Sequence, residues 1–131
     1  MESPASPAPR SKKVLWTARV MSALPALLLL FSGGMKLAHP PQLDEGFKHL
    51  GVPITHAFGL GVLELACTAV YLIPRTSVLG AILLTAYLGG AIQTHVRVGD
   101  PYFTQIILGV LVWGGPYLRD TRLRSLLPLV R

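Results

Sequence analysis

Charged residues are scarce in this sequence of 131 residues: they make up 14%, whereas hydrophobic residues make up 51%. A soluble domain usually contains about 25% charged residues. The shortage is uneven, because long apolar runs are nearly free of charge and the charged residues gather between and beyond them. This pattern argues against a soluble globular domain and predicts a chain that folds in a lipid bilayer.

Residues for covalent and metal chemistry are also few. The single cysteine, Cys67, excludes an intramolecular disulfide and a C-x-x-C redox pair. The histidines lack metal-ligand spacing, so no metal site is predicted; they are His39, His49, His56 and His95. The net charge of +6 comes from basic residues at the ends of apolar runs, not from basic residues interleaved with aromatic ones. Nucleic acid is therefore not expected as a partner.

Four apolar runs predict four transmembrane helices. They cover about residues 15–37, 54–73, 77–98 and 102–118. Runs of about 20 residues cross a hydrocarbon core of about 30 Å. Tight connections make consecutive helices antiparallel, so the predicted fold class is all-α: an antiparallel (up-down-up-down) four-transmembrane-helix bundle. A cleaved signal peptide is the alternative for the first run, which its length and Arg19 disfavour.

The segments outside the runs have distinct compositions. Residues 1–13 are rich in Pro, Ser and Ala and are predicted to be a disordered cytoplasmic terminus, whereas residues 14–118 form the membrane domain. Residues 119–131 form a basic tail that we expect to lie along the lipid headgroups. Between the first two spans, three apolar residues at helical spacing predict a short amphipathic surface helix: Leu43, Phe47 and Leu50.

Lysine and arginine are divided unequally between the two sides of the predicted bundle. One side has nine: Arg10, Lys12, Lys13, Arg19, Arg75, Arg119, Arg122, Arg124 and Arg131. The other side has three: Lys36, Lys48 and Arg97. The positive-inside rule places the first side in the cytoplasm. The expected location is the bacterial inner membrane, with both termini cytoplasmic.

Glu64 lies near the middle of the second predicted span. A carboxylate at that depth is costly unless it is paired, protonated or facing water, so we expect it to face the bundle interior. Ala57, Gly61 and Thr68 share its helical stripe. The structural alternative is a carboxylate bonded to Thr68, Tyr71 or a basic partner, which fixes helix packing.

Polar residues of the other spans predict a pocket between the helices, open toward the outer face, with Glu64 at its floor. The candidate ligand-binding residues are Lys36, Glu64, Gln93, His95, Arg97 and Gln105. Gln93 and Arg97 share one stripe, whereas His95 points roughly 200° away from both. The alternatives are that Lys36 and Arg97 extend to the headgroups and that His95 is an interfacial histidine. No catalytic residue is assigned.

Several short motifs together resemble the DoxX-like family of small four-helix membrane proteins. They are SGGMKL at 32–37, HLGVP at 49–53, GVLEL at 61–65, LGGAIQTHVRVGD at 88–100 and WGG at 113–115. The resemblance covers about residues 15–118 and implies a DoxX-like bundle. Some relatives are linked to thiosulfate oxidation coupled to quinone, and others to membrane redox or sulfur-stress complexes. The resemblance therefore implies quinone as a candidate cofactor, although the sequence itself contains no cofactor motif.

Three functional hypotheses follow. The first is a membrane protein that binds a small lipophilic or anionic molecule, such as a quinone, or serves as an accessory subunit of a membrane complex. The second is a quinone-linked oxidoreductase subunit, which needs a redox partner protein to supply electrons. The third is a small transporter component, which needs a homo-oligomer because four short helices leave little room for alternating access. Whether the chain is an enzyme is left open.

Overall fold

The computed structural model describes residues 11–128, and every regular element within that range is helical. The α-helices are α1 (Lys12–Ala38), α2 (Pro41–Leu50), α3 (Ala57–Leu72), α4 (Ser77–Arg97), α5 (Phe103–Arg119) and α6 (Thr121–Leu126). Single 3₁₀ turns, Ile54–His56 and Pro74–Thr76, lead into α3 and α4. The all-α prediction is confirmed.

The first helix begins at Lys12 because Ser11 caps it. The Ser11 hydroxyl accepts a hydrogen bond of 3.2 Å from the amide of Val14, which satisfies one free donor of the first turn. Lys12 and Lys13, which the sequence analysis assigns to a disordered terminus, are therefore helical. The rest of that predicted terminus, residues 1–10, and the last three residues of the predicted tail lie outside the described residues.

Within residues 11–128, three segments are long and apolar enough to cross a membrane: Lys12–Ala38, Ile54–Leu72 and Pro74–Arg97. The fourth predicted span corresponds to α5, which is shorter, at 17 residues. Its outer face is nevertheless strongly apolar, since Phe103, Ile107 and Val110 are all more than half exposed. Large exposed apolar faces of this kind mark surfaces that contact lipid or another protein.

The four long helices pack in a closed ring, because α1 and α4 each contact both α3 and α5. The core between them contains Leu29, Tyr71, Leu84 and Val112. Near the end of α3, a Cβ atom added to Gly80 of α4 would overlap the backbone of Tyr71. Near the start of α3, a Cβ atom on Gly61 would lie 3.0 Å from the carbonyl oxygen of Gly33 in α1. Small residues therefore set the distance from α3 to both of its neighbours.

The predicted amphipathic helix is α2, and its faces are as expected. Phe47 is buried, and Leu43 and Leu50 are half-buried on the same face. The polar side chains of the other face are exposed: Asp44, Glu45 and Lys48. Gly51 ends the helix in the left-handed region, with φ 71°, which glycine adopts without steric cost. Its apolar face packs toward α4.

Candidate ligand-binding site

The carboxylate of Glu64 joins three helices. Glu64 lies in α3 with 1% of its surface exposed. Its Oε2 atom accepts hydrogen bonds from Lys36 Nζ of α1 (2.7 Å) and from the Tyr87 hydroxyl of α4 (2.9 Å). Lys36 Nζ also donates to Ser32 Oγ one turn earlier in α1, at 2.8 Å. We call these four side chains the carboxylate cluster.

Lys36 reaches Glu64 because the backbones of α1 and α3 lie close together at this level. A Cβ atom on Gly61 would lie 2.9 Å from the Cβ atom of Lys36, so the two backbones approach closely. Gly61 precedes Glu64 by three residues, and residues at that spacing share one helix face. The Lys36 side chain therefore passes over Gly61 and reaches the carboxylate one turn further along α3.

Lys36 was predicted either to line a pocket between the helices or to extend to the headgroups, and its contacts decide between these two interpretations. Its ammonium group bonds inside the bundle and does not extend to the headgroups. An ionised side chain at the bilayer centre costs about 2.5–3.5 kcal/mol on insertion scales. Pairing the ammonium group with the carboxylate offsets part of that cost and gives the carboxylate cluster no net formal charge.

A cavity of about 420 Å³ lies beside the carboxylate cluster, and we call it the first cavity. Its polar lining residues are Lys36, Tyr87, Thr94 and His95. Its walls are mostly apolar and include Phe47 and Leu50 of α2, Leu60 and Leu63 of α3, and Gly90 and Ala91 of α4. Ligand-binding pockets commonly have volumes of about 300–1,000 Å³ and this combination of apolar walls with few polar groups.

Polar contacts hold α2 in place as one wall of the first cavity. Arg97 at the end of α4 donates a hydrogen bond to the carbonyl oxygen of Leu50 (3.1 Å). His49 Nε2 lies 2.8 Å from Oδ2 of Asp100, in the connection between α4 and α5. Arg97 therefore positions the cavity wall and is not itself among the residues that line the cavity.

His95 is oriented by its own helix. Its Nδ1 atom lies 2.7 Å from the carbonyl oxygen of Ala91. A carbonyl oxygen can only accept, so Nδ1 carries the hydrogen and, in the neutral ring, Nε2 is an acceptor. The amide nitrogen of Gln105 lies 3.5 Å from that Nε2 atom. The Nε2 atom is thus directed at Gln105 of α5, while the His95 side chain lines the first cavity.

The structure brings together only part of the predicted site. Lys36 and His95 line the first cavity. Glu64 is buried behind Lys36 and Tyr87, which corrects its predicted position at the floor of an open pocket: its two partners, and not the carboxylate, face the cavity. The structural alternative, in which Glu64 bonds to a basic partner, describes its contacts correctly.

Besides Glu64, three predicted residues do not line the first cavity: Gln93, Arg97 and Gln105. Gln93 is exposed on the other side of α4, because two residues of helix separate it from His95 by roughly 200°. Gln105 lines a separate groove between α4 and α5. Gln93 and His95 were both predicted to line the pocket, and of these two residues only His95 lines the first cavity.

Tyr87 is the functional candidate that sequence reasoning missed. It lies near the middle of α4, where an interfacial anchor would not be expected. Ala91, Thr94 and His95 follow it by four, seven and eight residues, and this spacing marks one helix face. That face lines the first cavity. The position of Tyr87 in the middle of a predicted span, away from the membrane interface, could therefore have identified it from the sequence.

Metal chemistry finds no support among residues 11–128. No group of three or more His, Cys, Asp or Glu side chains within that range is arranged to hold a metal ion. Cys67 is a buried free thiol in α3.

Residues 20–115 match the DoxX-like family. The matched range contains α2, α3 and α4 completely, and with them every residue of the carboxylate cluster and of the first cavity lining. No curated protein and no solved structure matches the chain.

Proposed function

The chain belongs to the DoxX-like family, and on that premise we propose that this membrane protein binds a small lipophilic, quinone-like molecule in the first cavity. The observation that carries the proposal is the mostly apolar cavity with Lys36, Tyr87 and His95 among its lining residues. Apolar walls favour a lipophilic ring, and the few polar groups would orient it.

The proposal places α1, α3, α4 and α5 across the bacterial inner membrane as an antiparallel bundle. The closed ring of these helices and the apolar outer face of α5 support a fourth span. Four crossings leave both termini on the side with Arg19, Arg75 and Arg119, which the positive-inside rule assigns to the cytoplasm. Labelling of single cysteines introduced at Lys48 and Arg75 in a Cys67→Ala background tests this topology, since only the first should react with an impermeant thiol reagent added outside.

The hydrogen-bonding groups at the first cavity define the chemistry of the ligand. The Lys36 ammonium group has three N–H donors, and Ser32 and Glu64 take two of them. No further partner of this ammonium group is found among residues 11–128, so the third N–H would donate to a carbonyl oxygen of a ligand. A ligand hydroxyl group would have to replace Gln105 as the donor to His95 Nε2. Because Glu64 already balances the charge of Lys36, a neutral lipophilic molecule fits the cavity better than an anion.

Two neighbouring glycines provide a matched test of the first cavity. A Cβ atom on Gly89 or on Gly90 would meet nothing within 4 Å, so both positions have room for a side chain. Gly90 lines the first cavity, whereas Gly89 lines the groove between α4 and α5. Gly90→Leu fills the first cavity, and Gly89→Leu is its control.

The probe is a water-soluble short-chain ubiquinone, titrated into the detergent-purified protein. Gly90→Leu is expected to weaken binding by at least tenfold, while Gly89→Leu binds as the wild type does. Circular dichroism and size-exclusion chromatography check that both variants are folded. Equal binding by the two variants would refute the first cavity as the site.

A quinone-linked oxidoreductase subunit is the second candidate, favoured by the presence of a histidine, His95, in the lining of the cavity. Reduction of a quinone consumes two electrons and two protons. His95 and the carboxylate cluster would exchange the protons, and a partner protein would supply the electrons. Quinone reduction by membranes that contain the protein, lost in His95→Ala but not in the exposed His39→Ala, would support this candidate over binding alone.

A further inference from the structure

A second cavity, of about 570 Å³, lies at the opposite end of the helices from α2. Three helices each contribute an arginine to its lining: Arg19 from α1, Arg119 from α5 and Arg122 from α6. Asp120 is the one carboxylate among the described residues that line it. Three guanidinium groups against one carboxylate leave an excess of two positive charges around the second cavity.

The contacts of these arginines leave most of their donors available. Arg119 donates to the Ser77 hydroxyl at 3.4 Å, a long hydrogen bond. Arg122 Nε lies 3.5 Å from Oδ1 of Asp120, and the Arg122 side chain is 90% exposed. Each guanidinium group has five N–H donors in a planar fork. That fork matches the oxygens of a phosphate group.

The rest of the lining suits a phosphate ester better than a bare anion. Ser77 and Thr121 place hydroxyl groups among the arginines, whereas the hydroxyl groups of Tyr71 and Ser22 are bonded to each other. Apolar surface comes from Leu72 and Val78 on the α3 and α4 side. Hydroxyl groups bond to phosphate oxygens, and apolar surface contacts the carbon atoms esterified to them.

We propose that the second cavity binds the phosphate group of a phosphate ester, supplied either by an anionic phospholipid or by a soluble metabolite. The convergence of three arginines from separate helices on one cavity carries the proposal. It is independent of the ligand proposed for the first cavity, because the two cavities share no lining residue.

Arg75 provides the matched control for the arginines of the second cavity. It lies in the Pro74–Thr76 turn at the same end of the bundle and is exposed, but it does not line the cavity. A general attraction of basic residues to anionic headgroups would involve Arg75 as much as the others. A specific binding site in the second cavity would make Arg19 and Arg119 contribute more to lipid binding than Arg75 does.

Native mass spectrometry of the full chain in detergent tests the proposal, with phosphatidylglycerol and phosphatidylcholine as probes. Phosphatidylglycerol is expected to bind at least tenfold more tightly than phosphatidylcholine. The double variant Arg19→Gln/Arg119→Gln should lose at least tenfold in phosphatidylglycerol affinity, and Arg75→Gln should change it less than twofold. Equal binding of the two lipids, or an equal loss in Arg75→Gln, would overturn the proposal.

Two further measurements complete the test. Val78→Phe fills the second cavity without changing its charge and should also abolish the preference for phosphatidylglycerol; an unchanged preference would overturn the proposal even if the arginine variant fails to fold. Competition with millimolar inorganic phosphate distinguishes the two sources of the ligand. Displacement of the lipid identifies a soluble phosphate ester, and retention of the lipid identifies a phospholipid headgroup.

Discussion

The end of the bundle beside α2 and the end beside α6 each combine a cavity with charged side chains. Beside α2, the ammonium group of Lys36 is balanced by Glu64, which is 1% exposed. Beside α6, Arg19, Arg119 and Arg122 outnumber one carboxylate and are all exposed. Depth explains the difference, because a buried charge needs a partner within the protein. A charge at the level of the headgroups needs no partner within the protein and can pair with an external anion.

The largest effect is expected from breaking the buried pair. Lys36→Met leaves the Glu64 carboxylate buried without its cation, which typically costs about 3–5 kcal/mol of unfolding free energy. Chemical denaturation in detergent measures the loss. The control is Lys48→Met on the exposed face of α2, expected to change stability by less than about 0.5 kcal/mol.

A double variant sharpens the same prediction. Lys36→Met combined with Glu64→Gln removes both charges, so most of the lost stability should return. If the double variant is as unstable as Lys36→Met alone, charge pairing does not explain the role of Lys36.

The second largest effect tests how closely α3 approaches its neighbours at the two ends. Gly80→Ala places a Cβ atom against the backbone of Tyr71, which cannot move aside, and overpacking of this kind costs about 1–3 kcal/mol. Gly61→Ala is expected to cost less, because its nearest contact, the Cβ atom of Lys36 at 2.9 Å, is a milder overlap. Gly89→Ala should be nearly neutral, and thermal unfolding that ranks the three otherwise would contradict the packing described here.

A smaller effect is expected from removing one hydrogen bond of the carboxylate cluster. Tyr87→Phe removes the hydroxyl that donates to Glu64 at 2.9 Å, and such a loss costs about 1 kcal/mol. The exposed Tyr102→Phe is the control. The short-chain ubiquinone should also bind Tyr87→Phe more weakly, by a few-fold in a titration. Wild-type stability and binding in Tyr87→Phe would exclude Tyr87 from the site.

The smallest effect concerns Asp120, which caps α6 by accepting a hydrogen bond from the amide of Arg122 at 2.9 Å. Loss of such a cap in Asp120→Ala should cost about 1 kcal/mol near neutral pH. Burial acts to raise the pKa of Asp120, but hydrogen bonds from Arg122 outweigh it and hold that pKa below its ordinary value.

The stability lost in Asp120→Ala is expected to depend on pH in one direction. A carboxyl group whose pKa is lower in the folded state stabilises the protein above its unfolded pKa of about 4, and this contribution is lost as the pH falls through the folded pKa. The difference in melting temperature between the wild type and Asp120→Ala should therefore shrink on acidification below about pH 4. A difference that widens over the same range would contradict the assignment.

The long helices and α2 follow from the sequence because hydrophobic length and helical spacing depend on local residues alone. The need of Glu64 for a partner was predictable for the same reason, since the cost of an unpaired carboxylate in lipid does not depend on the fold. The identity of that partner was not, because it depends on how α1 is rotated against α3.

The assignment of residues to the first cavity also required the structure. Gln93 and His95 are equally polar and nearly adjacent, and only the packing of α4 against α2 and α3 decides which of them faces the cavity. Gly61 and Gly90 are both glycines within long helices, yet Gly61 packs against α1 whereas Gly90 faces open space. Small residues serve both purposes, so their spacing alone does not separate a contact from a cavity.

The most direct measurement is identification of the small molecules that remain bound to the purified protein. Organic extraction and mass spectrometry should find a lipophilic, quinone-like compound with the wild type and with Gly89→Leu, and little or none with Gly90→Leu. A wild-type preparation that yields only detergent and phospholipid, or equal yields from the two leucine variants, would contradict a lipophilic ligand in the first cavity.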